Sequence, residues 1–398
     1  MPSEAKTNTI QNFSVEKLSG SGFTPSCTRY LGWHDRLLKL VLEQLLEKFC
    51  DGSKLDLRQP LIVLPSALAC RRLSELLALR AERDELEIYP PELITLGSLP
   101  EHLYLSRQPF AGLPIQQNAW MQALLEMPAA DLQILVPTLP PRSRTLSWLE
   151  LGGSLAVLHR DLASDRLNFK SVCAQLPDDH PERPRWQVLQ KLQRRYLDAL
   201  GGLGLWDIQT ARLHALEHGE ANNSRQIKVV GCVDLNRTQR GFLSAVAPQV
   251  EIWVAAPETA SGLFDAFGGV LEEAWLQSEL DIPAENLLVA TNPDSQAETA
   301  VACLAALGDE YHIRDVTLAV PEAKLLPELR RRMDLAGIPT RYGAGESLIQ
   351  SEPVELLRRI GKYLESRSFQ AFASLVRHPA AEKLLKANGR GLPDNWLE

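Results

Sequence analysis

Several common functional signatures are missing from this sequence. None of its 398 residues forms a G-x-x-x-x-G-K-[ST] or a G-x-G-x-x-G loop, so the usual glycine-rich cradles that wrap backbone N–H groups around phosphate are absent. There is no H-E-x-x-H pair and no G-x-S-x-G elbow, which removes the plain marks of a zinc hydrolase and of an α/β-hydrolase nucleophile. The six cysteines, Cys27, Cys50, Cys70, Cys173, Cys232 and Cys303, include no C-x-x-C pair. Their wide spacing fits neither a zinc site nor a disulfide framework, and they read as small hydrophobes. No run approaches eighteen uncharged apolar residues, and the first thirty positions lack both the apolar core and the basic start of a signal peptide. A soluble, cytoplasmic protein without a membrane segment is expected. A basic excess is missing too. Forty-two Lys and Arg against fifty Asp and Glu give a net charge of −8, which argues against a shell that coats any polyanion and leaves room only for a confined basic groove.

With 45% hydrophobic and 23% charged residues, the chain can bury a sizeable core, and its length suggests two or more packed units. Residues 1–28 are polar, contain Ser19-Gly20-Ser21-Gly22, show no period and read as a flexible arm. Trp33, Leu37, Leu38, Val41, Leu42, Leu45 and Phe49 recur at three and four, which predicts a helix over 33–49. LIVLP at 61–65 reads as a strand buried on both faces, followed by a helix from Ala67 to Arg83, and ELITLGSLPEHLY at 92–104 repeats strand into helix. Strand, helix, strand without hairpin signals argues for a parallel α/β sheet. From about 105 to 220 the periodicity is helical, as in Trp186, Leu189, Leu192, Tyr196 and Leu200, and the stretch reads as an insertion with Pro-rich joints. Strand patterns resume at IKVVGCV (227–233), VEIWVAA (250–256), NLLVAT (286–291) and DVTLAVP (315–321). Between the last two, Ser295-x-x-Glu298 predicts a capping box, and 352–387 reads as helical.

Candidate chemistry is sparse. His214 and His218 at i, i+4, beside Glu217 and Glu220, read as a solvated helix end. Arginine outnumbers lysine 30 to 12 and clusters at Arg142 and Arg144; at Arg183, Arg185, Lys191, Arg194 and Arg195; at Arg330, Arg331 and Arg332; and at Arg358, Arg359 and Lys362. Guanidinium suits phosphate, yet such clusters are commonly helix faces paired with acids. Trp186 and Tyr196 at helical spacing read as core.

The order RYLGWHDRLLKLVLEQLLEKF, LIVLPSALACRRLSELLA, PPELITLGSLPEHLY, VVGCVDLNRTQRGFL, TNPDSQAETAVACLAAL and DVTLAVPEAKLLPELRRRMDLAGIPTRYG resembles the N-terminal helicase-like half of AddB-type subunits. These belong to bacterial helicase-nuclease complexes of the AddAB and RecBCD kind, which process DNA double-strand breaks. The resemblance spans about 29 to 380. It implies an α/β fold of the UvrD-like superfamily 1 type: a RecA-like parallel sheet over 29–284 with a helical insertion at about 105–220, then the start of a second RecA-like unit over 285–398. It also implies a PD-(D/E)XK nuclease domain beyond Glu398. An active member needs a P-loop lysine, an Asp-Glu pair holding magnesium and an arginine on the transferring phosphoryl. Here the first is absent, Val230 and Gly231 stand at the acids, and Pro321 stands at the arginine. The resemblance therefore implies a degenerate ATPase without catalytic residues or cofactors, partnered by DNA and by a helicase-nuclease subunit. Ser66, Arg71, Thr95 and Ser98 match the family's single-strand path and are the candidates for backbone contacts. The competing expectations are an active ATPase with an unorthodox phosphate loop, an unrelated α/β hydrolase, and a protein-interaction scaffold that leaves DNA alone.

Overall fold

The computed structural model describes residues 23–279, 282–308, 311–313, 316–343, 345 and 347–387. In chain order the first unit, which ends at Ser278, holds β1 (Cys27–Tyr30), α1 (Leu37–Phe49), β2 (Cys50–Asp51), β3 (Lys54–Asp56), β4 (Leu61–Leu64), α2 (Ala67–Arg83), β5 (Glu87–Tyr89) and β6 (Glu92–Thr95). It continues through α3 (Leu113–Leu125), α4 (Ala129–Leu135), α5 (Thr145–Ser164), α6 (Phe169–Gln175), α7 (Arg183–Gly202), α8 (Ile208–Glu217), β7 (Ile227–Val230), α9 (Arg237–Ala245), β8 (Val250–Val254) and α10 (Glu272–Gln277). The second unit carries α11 (Pro293–Ala306), α12 (Leu326–Leu335), α13 (Glu352–Ser366), α14 (Phe369–Val376) and α15 (Pro379–Ala387).

The fold is α/β. Five strands in the order β1-β8-β7-β4-β6 pair in parallel throughout, with β7 at the centre, which makes the sheet RecA-like. Continuous apolar runs form these inner strands because both faces are covered. In β4, Leu61 and Val63 pack on one side with Phe242 and Leu243 of α9. Ile62 and Leu64 pack on the other with Val41 and Leu45 of α1 and Leu73 and Leu77 of α2. A small second sheet, β2-β3-β5, pairs β2 with β3 antiparallel and β3 with β5 parallel.

Between β6 and β7 the chain leaves the sheet for six helices, α3 to α8, and then returns to it. Trp120, Phe169, Leu192, Tyr196 and Leu200 are buried in their own cluster. Gly152 of α5 lets α3 approach closely, since a Cβ there would lie 3.2 Å from Trp120 Cβ. Inside the bundle, Gln193 Oε1 accepts the Phe169 N–H at 3.3 Å, so its amide nitrogen faces His159 Nδ1 at 2.9 Å. His159 Nε2 in turn donates to Asp207 at 3.3 Å. Burial would raise the Asp207 pKa, but the bonds from His159 and from Thr210 outweigh it and hold the carboxyl below its ordinary value. Asp207 also caps α8 by accepting the Thr210 N–H. Thr238 of α9 donates to Ala163 O at 2.6 Å, which ties the insertion to the sheet unit.

Several expectations need correction. Residues 1–22 of the expected arm lie outside the described residues, but 23–28 do not behave as an arm. Phe23 is buried and stacks on Phe267 at 3.9 Å, and Cys27 opens the edge strand β1. The first helix starts at Leu37, four residues after Trp33. The boundary between compact units falls at Ser278/Glu279 rather than 284/285. In the second unit, 287–290 and 316–320 form no strand, and Val289 is 97% exposed. Helix α11 is capped by Asn292, in a reciprocal box with Ser295, instead of by Ser295 with Glu298. It packs on α12 around Ala297, Leu329 and Met333, and Asp294 bridges to Arg331 and Arg332. Among the described residues no helix is long and apolar enough to cross a membrane.

Candidate functional site

In an open parallel sheet the carboxyl ends of the strands carry the ligand site, at the place where neighbouring strands send their connections in opposite directions. Here that place lies between β4, whose chain continues outward to β6, and β7, whose chain continues the other way to β8. The loops at this edge are Leu31–Arg36 after β1, Pro65–Ser66 after β4, Leu96–Ser98 after β6 and Gly231–Asn236 after β7.

The β1–α1 turn joins the edge strand to a helix, as a phosphate loop does, and several of its donors are committed. Leu31 N–H donates to Val254 O and Gly32 N–H to Ala256 O, each at 2.9 Å. The Trp33 indole N–H donates to Ala255 O at 2.7 Å, leaving the ring 60% exposed. Arg36 N–H bonds the Asp35 carboxylate at 2.7 Å. That bond, with Lys39 and Arg36 nearby, lowers the Asp35 pKa. The carboxylate sits just ahead of α1, where negative charge is favourable to the helix dipole.

The end of the central strand is closed in the same way. Val230 is fully buried and ends β7. Gly231 has φ +59°, and its N–H donates to Trp253 O at 2.9 Å. A Cβ at 231 would lie 2.6 Å from Leu37 Cδ2 of α1, so this side chain fills the space where an acid at position 231 would project. Asp234, the nearest carboxylate along the chain, is exposed in the loop before α9. Burial pushes the Cys232 thiol up to about 12 and raises that of Cys70, so neither serves as a thiolate. Among the described residues no group of three or more His, Cys, Asp or Glu could hold a metal ion.

The β4–β6 side is more open. Leu64 and Thr95 are register partners, so Ser66 and Thr95 leave adjacent strands at the same edge. Ser66 is exposed and caps α2, its Oγ accepting the Ala69 N–H at 3.2 Å. Ser98 donates to Thr95 O at 3.0 Å, which makes Thr95 the donor in the 3.1 Å contact between the two hydroxyls. The protons of Thr95 and Ser98 are therefore used within the loop, and the Ser66 proton is the one these bonds leave uncommitted. Arg71 is exposed on α2, about 6 Å along the helix from its start, and forms no ion pair among the described residues. The β6 loop is braced from behind, by Gln239 donating to Leu96 O at 3.2 Å and Arg212 donating to Gly97 O at 2.7 Å. Pro321, the third position matched to the ATPase machinery, belongs to the second unit and follows a stretch without strand pairing.

Most of the arginine clusters are paired surface. Arg183 meets Asp178, Arg185 meets Glu182, Lys191 meets Asp131 and Arg195 meets Glu126. In the second unit Arg358 and Arg359 both meet Glu355. Tyr196 stacks on Trp120 at 4.0 Å inside the bundle and cannot serve as a platform for a base. His214 and His218 stack on each other at 3.9 Å.

The sequence reading missed a charged network inside the sheet. Lys228 of β7 has no exposure and is the register partner of Glu251 of β8. Its ammonium donates to Glu251 at 2.7 Å, Lys48 donates to the other carboxylate oxygen at 2.8 Å, and the rings of Phe49 and Trp253 face Lys228. Burial would raise the Glu251 pKa, but the two ammonium groups outweigh it and hold the carboxyl at about 2. Burial pushes Lys228 down to about 8 against the pull of Glu251. One lysine in IKVVGCV and one glutamate in VEIWV were the available signal, since each is the lone charge in a buried run. No protein-family model and no curated protein matches the chain.

Proposed function

We propose that this chain is a non-catalytic, degenerate helicase module of a cytoplasmic DNA double-strand-break helicase-nuclease, similar to the N-terminal half of AddB-type subunits. In this reading it holds single-stranded DNA, a partner helicase subunit, or both. The observation that carries the reading is the filled edge of the sheet. Supporting it, Leu37 occupies the space over Gly231, and the Leu31, Gly32 and Arg36 N–H groups of the β1–α1 turn are bonded to Val254, Ala256 and Asp35. An ATPase that had changed its phosphate loop but kept its activity would still need room for a γ-phosphate and its magnesium. The Ser66 hydroxyl and Arg71, on the open side, can position a phosphate backbone and carry no sequence information.

Calorimetry of the purified chain with ATP and magnesium tests the reading, and no binding is expected up to millimolar nucleotide. Saturable micromolar binding that is lost on chelation would overturn it. A second reading, a scaffold that binds protein and leaves DNA alone, is favoured by one feature: the hydroxyl protons of Thr95 and Ser98 are consumed within their own loop. Fluorescence anisotropy with a labelled oligonucleotide near 50 mM salt separates the two, because the scaffold gives no signal.

A further inference from the structure

The insertion contains a cavity that the proposed function does not use. Helices α5 and α7 each pack on α3 more closely than on each other, so a gap runs between them. At one end it is plugged by Trp120, His159, Phe169 and Tyr196, whose rings lie 4.0 to 6.4 Å apart. At the other end it opens into a trough of about 330 Å³, walled by Leu132, Leu135, Trp148, Leu151, Leu155 and Trp186 among others. That volume is in the range of small-molecule sites, and protein interiors rarely leave so much apolar space unfilled. Two polar groups of the wall are bonded within the bundle: the Trp148 indole N–H donates to Pro141 O at 3.2 Å, and Ser154 donates to Glu150 O at 3.2 Å.

The mouth has a charge preference. Trp148 and Trp186 lie in the first turns of α5 and α7, so both helices bring their N-terminal ends to this opening. Neither end has a side-chain cap bond or an acidic residue in its first turn, which leaves partial positive charge at the start of α5. At α7 the N-cap residue is Glu182 and the Arg183 N–H is bonded to His180 O. Arg144 precedes α5, is exposed and forms no ion pair among the described residues. Arg185 lines the cavity and meets Glu182 only at 3.7 Å, with both side chains half exposed. Glu182 is the opposing charge at the mouth, and so loose a pair is readily exchanged for a better-placed anion.

We propose that this trough binds an apolar molecule carrying a single carboxylate, with its hydrocarbon or aromatic body among the leucines and tryptophans and its acid group against Arg185 at the helix ends. The probes are anilinonaphthalene sulfonate, followed by fluorescence, and decanoate as its competitor, on the purified full chain. Decanoate should displace the dye with one-to-one stoichiometry. Arg185→Ala should weaken decanoate about tenfold, a change of about 1.4 kcal/mol. Decanol, which lacks the charge, should bind correspondingly less well. Ser154→Trp, a rim substitution at an exposed position, should block both probes without changing the circular dichroism spectrum. Leu151→Phe is the second filling variant if the first loses helix content. The proposal is overturned if decanoate fails to displace the dye up to its solubility limit, or if displacement persists unchanged in the well-folded filling variant. It is equally overturned if decanol matches decanoate or Arg185→Ala has no effect, because the acid group then contributes nothing.

Discussion

The two sides of one sheet edge differ. On the β1-β8-β7 side every strand end is tied down: the β1–α1 turn is clipped to β8, Leu37 covers Gly231, and beneath them Lys228, Glu251 and Lys48 lock the strands together. On the β4-β6 side the strands end in an exposed serine, a short loop braced from behind and an arginine without an ion pair. The difference separates two jobs that a motor domain combines. A nucleotide pocket must stay empty until its ligand arrives, and an empty pocket costs packing. On the reading proposed above, a chain that no longer hydrolyses nucleotide can fill the pocket and pair its polar groups internally, whereas a surface that only contacts a partner can remain open.

The largest effect should come from the charged lock. Glu251→Gln removes the carboxylate from two ammonium groups, one of them fully buried, and should cost about 3–5 kcal/mol, because an uncompensated buried charge is left behind. Urea unfolding measures it. The pH dependence follows from the same group. With its folded pKa near 2 and an unfolded value of 4.5, Glu251 contributes stability that is fully present above pH 4.5 and lost as the pH falls toward 2. Lys228 has the opposite sense to a paired lysine on the surface. Its folded value near 8 lies below 10.5, so its burial disfavours the folded state below pH 8 and that penalty lifts between about 8 and 10.5. Glu251→Gln should flatten the acid limb of the stability profile. If the variant keeps both the wild-type midpoint and the acid limb, the lock does not hold this side together.

Next is the attempt to reopen the pocket. Gly231→Asp places a carboxylate at one of the two positions where the resembled helicases hold magnesium, but position 231 has φ +59° and a Cβ there collides with Leu37. The backbone strain and the clash together should cost about 2–3 kcal/mol, and the variant should bind no ATP. Thermal unfolding and calorimetry read the two outcomes. A stable variant that gains magnesium-dependent nucleotide binding would show that the closed side is only superficially closed.

A smaller effect belongs to the open side. Ser66→Ala removes the bond to the Ala69 N–H that starts α2 and should cost about 1 kcal/mol, with Ser66→Gly costing only a few tenths from the loss of the cap. If the alanine variant is as stable as wild type while DNA affinity drops, the hydroxyl works as a ligand to phosphate rather than as a cap.

The same contrast sets what could be read from sequence. LIVL, IKVV and VEIWV are buried on both faces, and such strands appear as unbroken apolar runs, so the sheet and the central place of Val230 were legible. β1 was hidden in a polar stretch because an edge strand needs only partial cover, and CTRY has no apolar run. NLLVAT and DVTLAV carry the strand pattern but form no ladder among the described residues, since a run specifies a strand only where neighbours supply hydrogen bonds. The period that begins at Trp33 was real, yet the helix waits until Leu37 because the indole is bonded to Ala255. Ser66, Arg71, Thr95 and Ser98 came from a resemblance. The structure brings Ser66, Thr95 and Ser98 to one edge, which no spacing rule could have shown. That Leu37 would cover Gly231 depends on two residues 194 positions apart, a contact invisible to local pattern.

The smallest effect on stability is expected at Arg71, and for that reason it discriminates best. The side chain is exposed on α2 and forms no ion pair among the described residues, so Arg71→Ala should change unfolding by less than about 0.5 kcal/mol. If the open side follows a nucleic-acid backbone, the substitution should still weaken single-stranded DNA equally for all sequences. It should also make the log-log salt slope shallower by less than about one unit, since one phosphate contact on a single strand contributes roughly −0.7. The net charge of −8 opposes approach, so the measurement needs low ionic strength. Anisotropy of a labelled oligonucleotide between 50 and 200 mM salt reads both the slope and the affinity. An unchanged slope with unchanged stability would remove Arg71 from any DNA path, and the open side would then be a surface for protein.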